Sequence, residues 1–270
     1  MLAYDREGEG PPLLLLHGTT SSRRVWADLM PALARGWDTI ALDLPGHGES
    51  PVSTYTPPEW ASEVVDFLDH QGLDQVTVVG HSAGGWTALE LAKLGRARAV
   101  LALTPAGLWR KRSPLLTDLR LNANWWLGRL FGETAARSLA LRPVRAVALR
   151  TVSARPADVP AGIAMDNARA AFATDSFPRH FQETRRLRFM GGGNINAPVK
   201  IVWGATDRIA LERKSRSDEE LPRQTVVETW DDCGHMVMWD AAERTLAAIT
   251  ELRMEPSPRQ RAAGRARPTG

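Results

Sequence analysis

One stretch, residues 76–93, constrains the fold more than any other part of the chain. Residues 76–79 read Val-Thr-Val-Val, which is typical of a strand, and residues 86–93 read as a helix. Between them, residues 80–84 read Gly-His-Ser-Ala-Gly. A sharp strand-to-helix turn needs small residues on both sides of the serine, because neighbouring Cβ atoms would clash there. The stretch therefore predicts that Ser82 lies on a strained turn at a helix N-terminus, where the helix dipole favours negative charge.

Strand-like and helix-like segments alternate along most of the chain. Continuous apolar runs such as Pro-Leu-Leu-Leu-Leu at residues 12–16 are typical of parallel strands covered on both faces. The pattern predicts an α/β fold with a doubly wound, mostly parallel sheet. The other predicted strands are residues 38–42, 99–103, 199–203 and 225–228, and the predicted flanking helices are residues 25–33, a helix from the capping box at 56–59 to Gly72, and residues 240–252.

Strand-like runs disappear between residues 108 and 196, where helical candidates occur at 115–131, 133–141 and 166–173. We therefore predict a core formed by residues 1–107 and 197–252, with residues 108–196 as a helical cap inserted after the strand that follows the nucleophile helix. The cap carries 15 Lys and Arg against 6 Asp and Glu, a net charge of +9, whereas the two core segments sum to −6 and −4. Residues 253–270 lack an apolar pattern, which predicts a disordered basic tail.

A serine hydroxyl is a weak nucleophile near neutral pH, so it needs a general base and a group that orients that base. Asp207 follows the predicted strand at residues 199–203, and His235 follows the last predicted strand. The carboxyl ends of parallel strands meet at one edge of a sheet, so both residues are expected near Ser82. The sequence therefore predicts a Ser-His-Asp triad.

Three neighbours of His235 also have suitable side chains. Asp231 and Asp232 are alternative acids, but they lie so close to His235 in the chain that Asp207 fits the strand-loop geometry better. Cys233 is interpreted as a buried small residue rather than a nucleophile.

The remaining candidates are histidines and tryptophans. His17 and His47 lie in predicted turns, where structural hydrogen bonding is the favoured role. His81 precedes Ser82, so strand alternation predicts that its side chain points away from the serine. Three tryptophans of the predicted cap either line a pocket or pack as cap core: Trp109, Trp125 and Trp126.

Five short motifs occur along the chain. They are Leu-Leu-His-Gly at residues 15–18, Asp-Leu-Pro-Gly-His-Gly-Glu-Ser at 43–50, Gly-His-Ser-Ala-Gly-Gly at 80–85, Trp-Gly-Ala-Thr-Asp at 203–207 and Cys-Gly-His at 233–235. They cover nearly the whole chain outside residues 108–196. In this order the motifs resemble the α/β-hydrolase fold superfamily, and within it the capped branch of esterases, C–C hydrolases and cofactor-free haloperoxidases.

This resemblance implies roles for individual residues. Ser82 would be the nucleophile, His235 the general base and Asp207 its orienting acid, and the backbone N–H groups of Thr19 and Ala83 would form the oxyanion hole. Relatives usually begin with an antiparallel hairpin, for which only residues 1–10 are available here.

The expected function is hydrolysis of a small ester or related acyl bond through an acyl-serine intermediate. Two alternatives stay open: a non-catalytic small-molecule binder on the same scaffold, or a C–C bond hydrolase or cofactor-free haloperoxidase. Epoxide hydrolases and dehalogenases are disfavoured, because the resemblance places Asp in those relatives where this chain has Ser82. No motif of the cap identifies the substrate.

The composition and the first residues bear on the expected compartment and on the expected ligands. The single cysteine, Cys233, excludes an intrachain disulfide and suits a reducing cytoplasm, and the first residues lack the features of a signal peptide. No Cys/His cluster predicts a metal, and nothing predicts a cofactor. We expect a cytoplasmic protein with a small-molecule substrate, without nucleic-acid binding or membrane insertion; the sequence leaves the oligomeric state open.

Overall fold

The computed structural model describes residues 1–110, 115–209 and 216–254. Within these residues there are seven strands: β1 (Tyr4–Glu7), β2 (Pro12–Leu16), β3 (Asp38–Leu42), β4 (Val76–His81), β5 (Ala97–Leu103), β6 (Val199–Gly204) and β7 (Val226–Trp230). They form one sheet in the order β1-β3-β2-β4-β5-β6-β7. The first strand pairs antiparallel with β3, and all the other pairs are parallel. This confirms the predicted fold class.

Strand alternation divides the core into two layers. In β2, Leu14 and Leu16 belong to the apolar cluster on one face, while Leu13 and Leu15 belong to the cluster on the other face. All four side chains are completely buried, which is why the run is apolar without interruption. The helices are α1 (Met30–Leu33), α2 (Pro57–His70), α3 (Ala83–Lys93), α4 (Leu115–Ser138), α5 (Arg142–Ala148), α6 (Ala161–Ala173), α7 (Phe177–Thr184), α8 (Val237–Asp240) and α9 (Ala242–Met254).

Several core elements differ from the predicted ones. The predicted helix at residues 25–33 is a 3₁₀ turn (Arg23–Trp26) followed by the short α1. The helix predicted at 240–252 is split into α8 and α9 by Ala241, which has non-helical backbone angles. Residues 1–10 supply a single antiparallel strand, β1, rather than a hairpin. The capping box of α2 forms as predicted, with Glu59 bonded to the backbone and side chain of Thr56.

The helices α4 to α7 lie between β5 and β6 in the chain, within the segment predicted as a cap, and we call them the cap below. The predicted helices 115–131 and 133–141 are one element, α4, kinked at Gly132, whose φ is 48°. Neither α5 nor α7 is predicted from the sequence. The cap has a small apolar core of its own, formed by Ala136, Leu139, Val159, Ala164 and Ala168.

The predicted tail is described only at its beginning. Arg253 and Met254 end α9, so the first two residues assigned to the tail are helical. The rest of that prediction, residues 255–270, lies outside the described residues.

Candidate active site

Ser82 lies at the junction of β4 and α3 with backbone angles that L-residues rarely adopt, φ 52° and ψ −116°. Its N–H donates to the carbonyl of Leu103 at 2.9 Å, and its own carbonyl accepts from Ala106 N–H at 2.9 Å. A Cβ added to Gly80 would collide with the backbone of Gly84. The glycines therefore allow the close approach that holds Ser82 in its strained conformation.

Asp207 and His235, predicted as acid and base, are hydrogen-bonded to each other. Asp207 follows β6 and His235 follows β7, and the His235 Nδ1 to Asp207 Oδ2 distance is 2.9 Å. The Asp207 side chain is completely buried, and its Oδ1 accepts the N–H of Ile209 at 2.7 Å. Because a carboxylate accepts this bond, Nδ1 carries the proton and Nε2 is left as the basic nitrogen. His235 and Ser82 line the same cavity.

The backbone of His235 is also fixed, through contacts that the sequence does not predict. Its carbonyl accepts the Thr104 hydroxyl at 2.8 Å and His81 Nε2 at 3.1 Å. The His81 ring lies edge-on to the His235 ring, with centroids 4.8 Å apart. Burial lowers the pKa of His81 well below its ordinary value, so this ring is a neutral donor. The residue expected to point away from the serine thus supports the candidate base.

The loop after β2 places Gly18 and Thr19 against the serine. A Cβ on Gly18 would lie 3.0 Å from the Ser82 Cβ, so this position leaves little room for a side chain. Thr19 and Ala83, the predicted oxyanion-hole residues, line the same cavity as Ser82. The structure therefore brings together all five predicted site residues.

His17 holds this loop in place. Its Nδ1 donates to the carbonyl of Gly18 at 2.8 Å, and its Nε2 accepts the N–H of Leu44 at 3.0 Å. Acceptance by Nε2 needs the neutral ring, and burial lowers the pKa of His17 accordingly. The geometry gives His17 a structural role.

The Asp-Leu-Pro-Gly-His-Gly-Glu-Ser motif at residues 43–50 has a structural role too. Asp43 is buried. Its carboxylate accepts hydrogen bonds from the backbone N–H groups of Arg23 at 2.7 Å and Glu49 at 2.9 Å, and a further one from the Arg23 guanidinium. Gly48 has a φ of 54°, and a side chain there would collide with the Asp43 carboxylate. His47 is buried in this motif, and its Nδ1 donates to the Pro45 carbonyl at 3.0 Å.

The other candidates near His235 do not reach it. Asp231 and Asp232 are exposed, and among the described contacts the carboxylate bonded to His235 is that of Asp207. Cys233 is buried, and burial raises the pKa of its thiol to about 11, which leaves it protonated at neutral pH.

A cavity of about 410 Å³ lies between the cap and the carboxyl edge of the sheet. Trp109 and Trp125 line it, whereas Trp126 lies outside the lining and its side chain is 65% exposed. Aromatic and aliphatic side chains dominate the wall, and two pairs of polar side chains in it join core and cap. These contacts are Ser21 to Asn167 at 2.6 Å and Thr19 to His180 at 3.0 Å.

The described residues contain no group of three or more His, Cys, Asp or Glu side chains arranged to hold a metal ion. None of the helices in the described part of the chain is both long and apolar enough to span a membrane.

Comparison with known proteins identifies the family. Residues 13–248 match the model of the alpha/beta hydrolase family. The chain therefore belongs to the alpha/beta hydrolase family.

Two named relatives and one solved structure illustrate the similarity. The soluble epoxide hydrolase of Corynebacterium sp. is 40% identical over 91 residues, 33% of this chain and 32% of that protein. Epoxide hydrolase EphH of Mycobacterium tuberculosis is 30% identical over 214 residues, 75% of this chain and 97% of that protein. The meta-cleavage product hydrolase of Pseudomonas fluorescens superposes with a TM-score of 0.71 at 17% identity, covering 93% of each chain.

The extent of these matches varies. The first curated relatives, three uncharacterised mycobacterial proteins and the Corynebacterium enzyme, are matched over only 27–32% of their own lengths.

Proposed function

We propose that this chain is a serine hydrolase that cleaves a small ester or related acyl bond through an acyl-serine intermediate. The observation that carries the proposal is the Asp207–His235 hydrogen bond of 2.9 Å at the wall of the cavity that Ser82 also lines. In this proposal Ser82 is the nucleophile, His235 the general base and Asp207 the acid that orients it.

The chemistry follows from the proton positions. With Nδ1 protonated against Asp207, His235 Nε2 accepts the Ser82 proton as Oγ attacks the carbonyl carbon. The resulting oxyanion receives hydrogen bonds from the N–H groups of Thr19 and Ala83. The His235 imidazolium, stabilised by the buried Asp207 carboxylate, then protonates the leaving alcohol as the C–O bond breaks. Water, deprotonated by His235, attacks the acyl-serine; collapse of the second tetrahedral intermediate releases the acid and returns the proton to Ser82.

The cavity supports a largely apolar small molecule as substrate. Its volume of about 410 Å³ suits a small ligand, and the aromatic side chains of Trp125, Phe172 and Trp239 lie in its wall. An acyl or alcohol group that fills this space gains from apolar burial, by about 25 cal/mol per Å².

The residue type of the nucleophile distinguishes the proposed reaction from the reactions in the names of several relatives. EphH and the Corynebacterium protein are named epoxide hydrolases. The resemblance places Asp at the nucleophile position of such enzymes. A serine that opened an epoxide would be left as an ether, which water does not hydrolyse. Its attack on a carbonyl instead gives an acyl ester that water can hydrolyse, so a serine at this position favours acyl transfer.

The test is labelling with a fluorophosphonate probe, followed by kinetics with p-nitrophenyl esters of graded chain length. We expect one adduct, placed by mass spectrometry on Ser82, and ester turnover that is lost in Ser82→Ala by about 10⁶-fold. An adduct on another residue, or full turnover by Ser82→Ala, would overturn the assignment. Labelling of Ser82 without ester turnover would instead support the binder or the C–C hydrolase alternative.

A further inference from the structure

One cap residue directly contacts the loop after β2, residues 17–22, which carries Thr19 and is called the oxyanion loop below. His180 lies in α7 and is buried, and its Nε2 is 3.0 Å from the hydroxyl oxygen of Thr19. The two residues are 161 positions apart in the chain. Their contact forms only when α7 is seated on the core.

The neighbours of His180 decide the direction of this hydrogen bond. Its Nδ1 is 2.5 Å from the Tyr55 carbonyl, which can only accept, so Nδ1 carries the proton. In the neutral ring Nε2 is then an acceptor, and the Thr19 hydroxyl donates to it. The ring is held further by stacking on Trp60, with centroids 4.6 Å apart.

The neutral form of His180 is maintained by its surroundings. Burial lowers its pKa to about 4, against the smaller opposing effects of the Tyr55 carbonyl and Glu183. Among the described residues, the nearby titratable or charged groups also include His47, whose ring centroid is 6.2 Å away, and Arg179 of the same helix, which stacks on the Tyr55 ring. Near neutral pH the ring therefore remains the acceptor that the Thr19 hydroxyl needs.

We propose that His180 is a positioning residue that orients Thr19, so that the oxyanion hole is complete only when α7 of the cap is docked. The inference rests on the proposed function, in which the N–H of Thr19 stabilises the oxyanion. Thr20, the next residue, has a φ of 56°, so the loop bends sharply just after the group that His180 holds. Rotation of Thr19 at this bend would turn its N–H away from the reacting carbonyl.

A matched control is available in the same helix region. Ser176, directly before α7, donates from its hydroxyl to the Gly46 carbonyl at 2.8 Å. This bond also joins cap to core, but it does not reach the oxyanion loop. If His180 only anchored the cap, its loss would have the same effect as the loss of the Ser176 bond. If His180 positions Thr19, its loss should lower kcat through Thr19, and the loss of the Ser176 bond should not.

The kinetic test is a double-mutant cycle on a p-nitrophenyl ester with Thr19→Val, His180→Phe and the double variant. Phe keeps the stacking on Trp60, and Val keeps the shape of Thr. We expect each single variant to lower kcat about tenfold, which is the effect of one neutral hydrogen bond, with KM changed less than about twofold. The double variant should be no worse than either single variant, and Ser176→Ala should keep the wild-type kcat. Additive losses, or equal losses in Ser176→Ala and His180→Phe, would overturn the proposal.

A second readout does not depend on turnover. Amide hydrogen exchange over residues 17–22 should become faster in both Thr19→Val and His180→Phe and stay unchanged in Ser176→Ala. Unchanged exchange in Thr19→Val, which leaves the cap untouched, would sink the inference even if His180→Phe fails to fold. If the wild type hydrolyses no ester, the proposed function fails while the exchange data still decide whether His180 orders this loop.

Discussion

The Asp240 carboxylate accepts the hydroxyl of Ser153 at 2.5 Å and thereby joins the segment between α5 and α6 of the cap to the loop that carries His235. The same carboxylate accepts the N–H of Gly234, directly before His235, at 2.7 Å, and the N–H of Ala154 at 2.9 Å. Asp240 and Ser153 are both buried. One carboxylate thus fixes the cap and the candidate base relative to each other.

We expect Asp240→Asn to destabilise the protein by about 2–3 kcal/mol. An amide cannot accept from all of these donors, and a lost hydrogen bond to a buried charged group costs about that much. Urea unfolding followed by circular dichroism measures the change in the free energy of unfolding.

The matched control for that variant is Asp158→Asn. Asp158 is paired with Arg142 at 3.0 Å, but both side chains are largely exposed. A surface pair of this kind contributes about 0–1 kcal/mol, so we expect little change. Equal effects of the two variants would contradict a special role for the buried carboxylate.

Asp207→Asn should lower kcat by about 10⁴-fold without unfolding the protein. The amide would let His235 adopt the other tautomer and orientation, which removes the base from Ser82. Steady-state kinetics and circular dichroism together check this expectation.

The variants Asp231→Asn and Asp232→Asn serve as controls, since both side chains are exposed. Asp232 has a φ of 54°, a conformation that Asn tolerates well. We expect both variants to keep most of the activity. A larger loss in either one than in Asp207→Asn would mean that the acid is misassigned.

The arrangement of Ser82, Asp207 and His235 could be predicted because it depends on local patterns. Each residue follows an apolar or β-branched strand, and parallel strands bring their carboxyl ends to one edge. The cap helices α5 and α7 are harder to predict, because Pro143 and Pro178 lie in their first turns and proline is otherwise unfavourable in a helix. A proline there leaves no N–H of the helix unsatisfied.

The contacts of His180, His81 and Asp240 could not be predicted from the sequence for a different reason. Each joins segments brought together by tertiary packing: Thr19 with the cap, β4 with the His235 loop, and Ser153 with α8. No periodicity or spacing in the sequence records which surfaces dock. These supporting bonds appear only once the fold is known.

The stability of the protein should fall as the pH drops from 6.5 toward 4. The pKa of His180 is lowered to about 4 in the folded state, whereas the ordinary value is 6.5. Between these values the unfolded chain binds the proton and the folded chain does not, so acid favours unfolding. The full shift corresponds to about 3 kcal/mol for this one residue. Burial lowers the pKa of His17, His47 and His81 as well, in the same direction.

Urea unfolding at pH 7 and pH 5 tests this linkage with His180→Gln and His70→Gln. Both changes remove an imidazole, but His70 is exposed at the end of α2. We expect the loss of stability between the two pH values to be smaller in His180→Gln than in the wild type, and unchanged in His70→Gln. An identical pH dependence in all three proteins would rule out a contribution from His180.

The last prediction concerns the close approach of Gly18 to the nucleophile. A Cβ at this position would lie 2.9 Å from His81 Nδ1 and 3.0 Å from the Ser82 Cβ, so Gly18→Ala must displace the oxyanion loop. Loss of one oxyanion-hole donor typically lowers kcat by about 10²–10³-fold, and we expect a loss of that size here. The control is Gly162→Ala in α6, where a Cβ meets no atom within 4 Å. Alanine is the better helix former, so that variant should keep its activity and be at least as stable as the wild type. The measurement uses an ester whose turnover requires Ser82. A wild-type kcat in Gly18→Ala on that ester would show that this loop does not form the oxyanion hole.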